Sequence, residues 1–237
     1  MKSESVTLQP DFAEDINAEL DPYNPKEILN WAFEQYAPDI ALATGFGPSG
    51  IVLMHLVSQI RPETTVFYLD TGLHFRETHE VRERLEEQLG IQITRVTPEL
   101  SLEKQEELYG PALWNREPDR CCHLRKVVPL RRFLSTRRAW ITGIRRDQSY
   151  TRAQTEVVSY DKINGLIKVS PVAHWTEAEV WNYIRIHDLP YNKLHDQGYP
   201  SIGCFPCTRP VGTGQYSRAG RWAGHAKTEC GIHRQAS

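Results

Sequence analysis

Asp39-Ile-Ala-Leu-Ala-Thr44, Gly45-Phe-Gly-Pro-Ser-Gly50 and the run from Ile51 to Ile60 stand end to end in this chain. The first reads as a buried strand, the second as a loop and the third as an apolar helix. The same unit recurs outward from there. Thr64-Thr-Val-Phe-Tyr-Leu-Asp70 is a second strand, and Glu77 to Leu89 is a charged helix that Gly90 stops. Ile91-Gln-Ile-Thr-Arg-Val96 alternates as a strand does, and Ala139-Trp-Ile-Thr142 is another, followed by Gly143. Upstream, Asn24 can cap a helix with Pro25 at its first position and Glu27 reaching back, running to about Tyr36. Downstream, Thr176-Glu-Ala-Glu179 is a capping box that opens a helix to His187. Strand, loop and helix in repetition predict an α/β fold, a mostly parallel sheet flanked by helices. Such sheets bind ligands beyond the carboxyl ends of their strands. Here that means near Thr44–Gly50, Asp70–His74 and Gly143–Asp147.

The chain has 237 residues, 40% of them apolar and 24% charged. That suits a globular protein with a sizeable core and excludes a disordered or fibrous one. No apolar run approaches the ~18 residues of a membrane span, and the first residues carry no signal-peptide core, so the expected location is cytoplasmic. Five cysteines, two of them adjacent, do not make a secreted disulfide framework. In a reducing compartment they point to metal ligation or thiol chemistry. Charge divides the chain. Residues 1–39 hold nine acids against two bases, and residues 116–152 hold eleven bases against three acids. A basic run by itself is usually a solvated face. Here bases bracket cysteines and glycines, which argues for an anionic ligand. The expected layout is an acidic, helical segment over 1–38, the α/β domain over 39–210, and a loop-rich tail over 211–237.

In the loop, Gly45 and Gly47, with Ser49 beside them, would let backbone N–H groups approach an anion, and the N-terminus of the helix that follows would add its partial positive charge. No Gly-Lys-Ser/Thr follows, so it is not a Walker P-loop. The spacing of Gly45, Gly47 and Gly50 fits a dinucleotide fingerprint, with Asp70 twenty residues on at the ribose-binding position. An ordinary tight turn reads the same way. Cys121-Cys122 lies in the basic segment, and Cys204-Phe-Pro-Cys207 follows after 81 residues. Four thiolates suffice for a tetrahedral zinc or an iron–sulfur cube. The diverging side chains of adjacent cysteines suit the bulkier group better. Cys230 stands apart in Lys227-Thr-Glu-Cys-Gly-Ile-His-Arg234. The potential positive charge of Lys227, His233 and Arg234 is the setting of a thiolate nucleophile.

Several stretches together closely resemble the assimilatory sulfonucleotide reductases, specifically the iron–sulfur adenylyl-sulfate (APS) reductases. They are Tyr68-Leu-Asp-Thr-Gly72, Cys121-Cys-His-Leu-Arg-Lys126, Trp140-Ile-Thr-Gly-Ile-Arg-Arg-Asp-Gln-Ser149, Pro190 through Arg209, Gly220-Arg-Trp222 and Glu229-Cys-Gly-Ile-His233. One departure is Gly47-Pro-Ser-Gly50, where many relatives carry an acidic residue. The resemblance implies an adenine-nucleotide α-hydrolase-like fold whose loop 44–50 is a modified pyrophosphatase-type phosphate loop. It implies a [4Fe–4S] cluster on Cys121, Cys122, Cys204 and Cys207. Cys230 would attack the sulfate sulfur and expel AMP, leaving an S-sulfocysteine that thioredoxin, or a similar dithiol such as glutaredoxin, resolves to sulfite. Lys126, Arg145, Arg146, Arg218, Arg221 and His233 are then the expected substrate-binding groups, with Gly45, Gly47 and Ser49. Cations are needed there because an anionic thiolate must approach an anionic sulfate.

Rival readings are a reductase of 3′-phosphoadenylyl sulfate (PAPS) and, more remotely, a metal-dependent nucleic-acid-binding module built on the basic segment. The net charge of −2 and the lack of aromatic residues interleaved with that segment argue against the latter. No nucleic-acid or membrane partner is expected, and a homo-oligomer is compatible with the sequence.

Overall fold

The structure is a computed structural model describing residues 16–20 and 24–233. Most of the acidic segment before Asn24, and Arg234, lie outside the described residues. Helix α1 (Pro25–Tyr36) opens as its sequence predicts. Asn24 accepts from the Lys26 and Glu27 backbone N–H groups, Glu27 reaches back to the Asn24 N–H, and Pro25 takes the first position. Ile16 and Leu20 join Ile28, Leu29, Ala32 and Phe33 in the core cluster that covers β1. Asn17 pairs through its side-chain amide with both backbone groups of Val158, at 2.7 and 2.9 Å. The described part of the N-terminal segment therefore packs into the same core as the sheet.

The chain then runs β1 (Ile40–Thr44), α2 (Pro48–Ile60), β2 (Thr65–Leu69), α3 (Arg76–Leu89) and β3 (Ile93–Val96). Next come α4 (Leu102–Tyr109), α5 (Leu113–Arg116), α6 (Pro118–Cys122), a π-helical turn His123–Val127 and α7 (Val128–Leu134). Then follow β4 (Ala139–Ile141), β5 (Val158–Asp161), β6 (Leu166–Val169) and α8 (Glu177–Ile186). The six strands lie in the order β3-β2-β1-β4-β6-β5. All pairs are parallel except β5 on β6. Among the described residues no helix is long and apolar enough to cross a membrane.

Alternation along the strands divides the core. Ile40, Leu42, Val66 and Tyr68 face one layer with α1, α2, α3 and α8, while Ala41, Phe67 and Trp140 face the other with Leu130 and Leu134 of α7. Helix α2 is buried along most of its first eight residues. That explains its unbroken apolar sequence.

One sequence expectation is corrected. The helix expected from Ile51 begins three residues earlier, at Pro48, because proline lacks the N–H that a first helical position cannot use. The loop is therefore only Gly45–Gly47, and Ser49 and Gly50 stand in the first helical turn. The Asp70 carboxylate is engaged within the fold. It is 3% exposed, accepts from the Gly72 N–H at 2.8 Å and pairs with Arg95 at 2.5 Å. These bonds outweigh its burial and hold its carboxyl below the usual range. The β5–β6 hairpin was not expected. Its signal was Asn164-Gly165, with Gly165 at φ 73° and the Asp161 carboxylate accepting from the Ile163 and Asn164 N–H groups.

Strand order reverses between β1 and β4, and their carboxyl ends leave a crevice there. Gly143 closes its floor. A Cβ at 143 would stand 3.1 Å from the Gly50 nitrogen and 3.2 Å from the Ser49 carbonyl carbon. Gly143→Ala should therefore destabilise the fold by about 1–3 kcal/mol, a Tm loss of roughly 2–4 °C per kcal/mol. Thermal unfolding checks this, and an unchanged Tm would show that the helix start can shift freely.

Candidate functional site

A cavity of about 270 Å³ opens at the β1/β4 crevice. Gly45, Gly47 and Ser49 form one wall. A Cβ at either glycine would meet nothing within 4 Å, so both backbones face open space. Gly47 caps α2 without a side-chain bond, leaving the first N–H groups of the helix unclaimed by a cap. A loop of this kind with a helix N-terminus suits an anion. Phe46 sits at φ 58°, its N–H on Thr44 Oγ1 at 3.1 Å and its ring against Tyr68 at 5.2 Å.

The expected cations part ways. Lys126 and Arg221 line the cavity. Arg145 does not. It is 5% exposed and lies behind the wall, donating to Ser49 Oγ at 2.6 Å and pairing with Asp147 at 2.9 Å. Asp147 in turn accepts from the Glu177 N–H at 2.6 Å, tying the loop to α8. Arg146 donates to the Thr155 carbonyl at 2.7 Å and meets His174 at 2.8 Å, away from the cavity. Arg218 is not in the wall either; it pairs with Glu229 at 3.1 Å. Arg152 and Gln148, which the sequence did not single out, are in the wall. Arg152 was counted in the basic run, but nothing local marked it off from its neighbours.

The tail covers this cavity. Cys230, Ile232 and His233 all line it. Ile232 packs with Phe67, Leu130 and Trp140, and the His233 ring stacks on Trp140 at 5.6 Å and 15°. Burial pushes the His233 imidazole well below its ordinary range, and Lys168, Arg152 and Arg218 push the same way. It is thus neutral where it docks.

The four other cysteines surround a second, smaller cavity with Leu73, Trp114 and Pro118. The Cys204–Cys207 knuckle is fixed from two sides. Toward the sheet, Phe205 N–H bonds the Leu73 carbonyl at 2.8 Å, and Thr71 Oγ1 lies 3.3 Å from Cys204 Sγ. Toward the tail, Trp222 N–H bonds the Cys207 carbonyl at 3.0 Å, and Arg209 N–H bonds the Gly220 carbonyl at 2.9 Å. Gly220 is required there, since a Cβ would fall 2.1 Å from the Arg209 oxygen. Gly203 likewise gives the Arg221 guanidinium its passage, 2.2 Å from where a Cβ would sit.

Cys121 and Cys122 end α6, just before the π-helical turn that carries Lys126. Among the described residues no group of three or more His, Cys, Asp or Glu side chains is arranged to hold a single metal ion. The four thiols ring a void instead. Burial first, then the neighbouring cysteines, push Cys121 up to about 12 and Cys207 up to about 11; burial also raises Cys122. As free thiols they would stay protonated. A positively charged thiolate-binding group would relieve that repulsion, and these four thiols are the donors the cavity offers one. Lys126 and Cys204 line both cavities. Burial works against the Lys126 charge, but Cys204, Cys230 and Cys122 outweigh it and hold the ammonium above its ordinary range.

The fold and site together define an α/β protein in which a glycine loop at a helix N-terminus and the Cys230 thiol line one cavity. Residues 39–210 match the phosphoadenosine phosphosulfate reductase domain. Relatives include the adenosine 5′-phosphosulfate reductases of Salinibacter ruber, 57% identical over 92% of this chain and 87% of that protein, and of Halalkalibacterium halodurans, 47% identical over 92% and 95%. Among solved structures, the phosphoadenylyl-sulfate reductase of Candida auris in complex with phosphate superposes with a TM-score of 0.77 at 29% identity, over 87% of this chain and all of that one. The FMN adenylyltransferase of Candida glabrata shares the fold, with a TM-score of 0.57 at 16% identity over 87% of this chain and 67% of that one. The chain belongs to the phosphoadenosine phosphosulfate reductase domain family, and its fold is of the adenine-nucleotide α-hydrolase-like type.

The buried imidazole makes tail docking pH-dependent. An undocked histidine takes a proton near ~6.5, whereas docked His233 resists it. The folded value lies below the free one, so docking is unpenalised above that pH and weakens as pH falls through it. Lys168, lowered by burial to about 8, stays charged throughout this range. Amide exchange of residues 228–233, corrected for intrinsic rates, should be less protected at pH ~5.5 than at pH ~7, and His233→Gln should remove the difference.

Proposed function

We propose that this protein reduces adenylyl sulfate to sulfite and AMP, with Cys230 as nucleophile and thioredoxin or a similar dithiol protein as reductant. The observation that carries this reading is the meeting of Cys230, Lys126 and Arg221 on the cavity that the α2 N-terminus faces. The AMP phosphate would lie against Gly45, Gly47 and Ser49, where backbone N–H groups and the helix dipole favour an anion. The sulfate would project toward Cys230. A Cys230 thiolate attacks sulfur, the S–O bond to the phosphate breaks, and AMP leaves with that electron pair. Lys126 and Arg221 offset the repulsion between the two anions and stabilise the leaving phosphate. The product is Cys230–S–SO₃⁻. A thiolate of the reductant then attacks the Cys230 sulfur, sulfite departs with the S–S pair, and the reductant's second thiol resolves the mixed disulfide. Both electrons come from the dithiol.

Cys121, Cys122, Cys204 and Cys207 would hold a [4Fe–4S] cluster. When bound, it supplies a staple between the two cysteine pairs and a fixed charge beside Lys126. Adenylyl sulfate is preferred to its 3′-phosphorylated form because the bacterial relatives cited above carry that substrate in their names. The Candida auris likeness supports the second substrate. A single-turnover competition between the two nucleotides separates them. Five free cysteines suit the reducing cytoplasm.

Mixed with adenylyl sulfate and no reductant, the protein should gain the mass of one SO₃ group, mapped to the peptide carrying Cys230. Cys230→Ser should abolish this adduct and sulfite release while AMP still binds. An adduct on another residue, or none, overturns the reading. Cys204→Ser should bleach any visible absorbance of the purified protein and lower its Tm, since ligand loss removes binding energy from folding.

A further inference from the structure

Glu229 precedes the proposed nucleophile, and its carboxylate is an odd neighbour for a group that must approach an anion. The structure shows where that charge goes. Arg152 grips it with two parallel bonds, Nε to Oε1 at 3.0 Å and an Nη to Oε2 at 2.8 Å. Arg218 donates to Oε2 at 3.1 Å and to the Thr228 carbonyl at 3.0 Å. Thr151 Oγ1 stands 3.5 Å from Oε1. All three charged side chains are about 15% exposed or less, so the cluster is shielded from water. Charge-assisted forks of this kind fix geometry as well as add energy. They join three separate stretches: the 3₁₀ turn Tyr150–Arg152, the tail near Arg218, and the residues flanking Cys230. Tyr216 adds a bond to the Gln148 carbonyl at 3.3 Å across the same seam.

We infer that Glu229 is a positioning residue that clasps the tail over the cavity and so presents the Cys230 sulfur to the bound nucleotide; this rests on the proposed role of Cys230. The clasp has a second consequence. Arg152 lines the cavity, so Glu229 holds one of its cations partly satisfied. Removing the carboxylate frees Arg152 for an anionic ligand while loosening the sulfur. Chemistry then falls with no matching loss of binding, which a simple loss of fold does not produce.

The test compares the full-length protein with Glu229→Gln and Glu229→Asp. In Glu229→Gln, single-turnover sulfonation of Cys230 should fall roughly tenfold or more, as expected when a buried charged partner is lost. AMP affinity should stay equal or tighten. Alkylation of Cys230 by iodoacetamide, followed by mass spectrometry of its peptide, should quicken several-fold. Glu229→Asp, which keeps the charge on a shorter stem, should recover part of the rate. A variant that sulfonates and alkylates at the parent's rates overturns the inference, and so does a rate loss matched by an equal loss of AMP affinity. If the parent itself gains no SO₃, the proposed function fails, and the alkylation and AMP measurements still judge the clasp.

Discussion

Lys126 stands at the partition between two cavities and borders both of them. Burial works against its charge, and the sulfur atoms of Cys204, Cys230 and Cys122 work the other way. Three distant parts of the chain must converge for this to hold. The π-helical turn after Cys122 brings the lysine, the knuckle brings Cys204, and the tail brings Cys230. A π turn widens the helix locally and is common at functional sites. It lets one short segment give two cysteines to one cavity and a cation to both.

The fold was legible because its signals are local. Asn24, Pro25 and Glu27 state a helix start within four residues, and the runs from Ile40 and Thr65 are apolar because both faces of their sheet are covered. The misplaced start of α2 came from reading Pro48 as loop when it serves equally as a first helical residue. The site was less legible, and physically so. Arg152 meets Glu229 across 77 residues and Arg145 meets Ser49 across 96. No periodicity records such pairs. Cys121, Cys122, Cys204 and Cys207 could be grouped by their number and chemistry, but that they border the same wall as Lys126 is a fact of packing.

The basic run shows how much a charge count leaves open. Its surplus argued for an anionic ligand, yet some of its members are committed inside the molecule. Arg125 is buried against Gln105 and the Leu100 carbonyl, and Arg145 and Arg152 are held by Asp147 and Glu229, while Arg132 pairs with Glu99 on the surface. Those arginines fasten loops to one another. What faces the cavity is a small remainder, chosen by geometry. An arginine's planar fork suits such fastening better than a lysine would, and the abundance of arginine in this run follows from that use.

The backbone seam between Cys207 and Trp222 has a wider meaning. Two hydrogen bonds and two glycines leave the tail little freedom to adjust by itself. A shift in the knuckle would therefore be passed along the backbone to the segment that carries Cys230, some twenty residues further on.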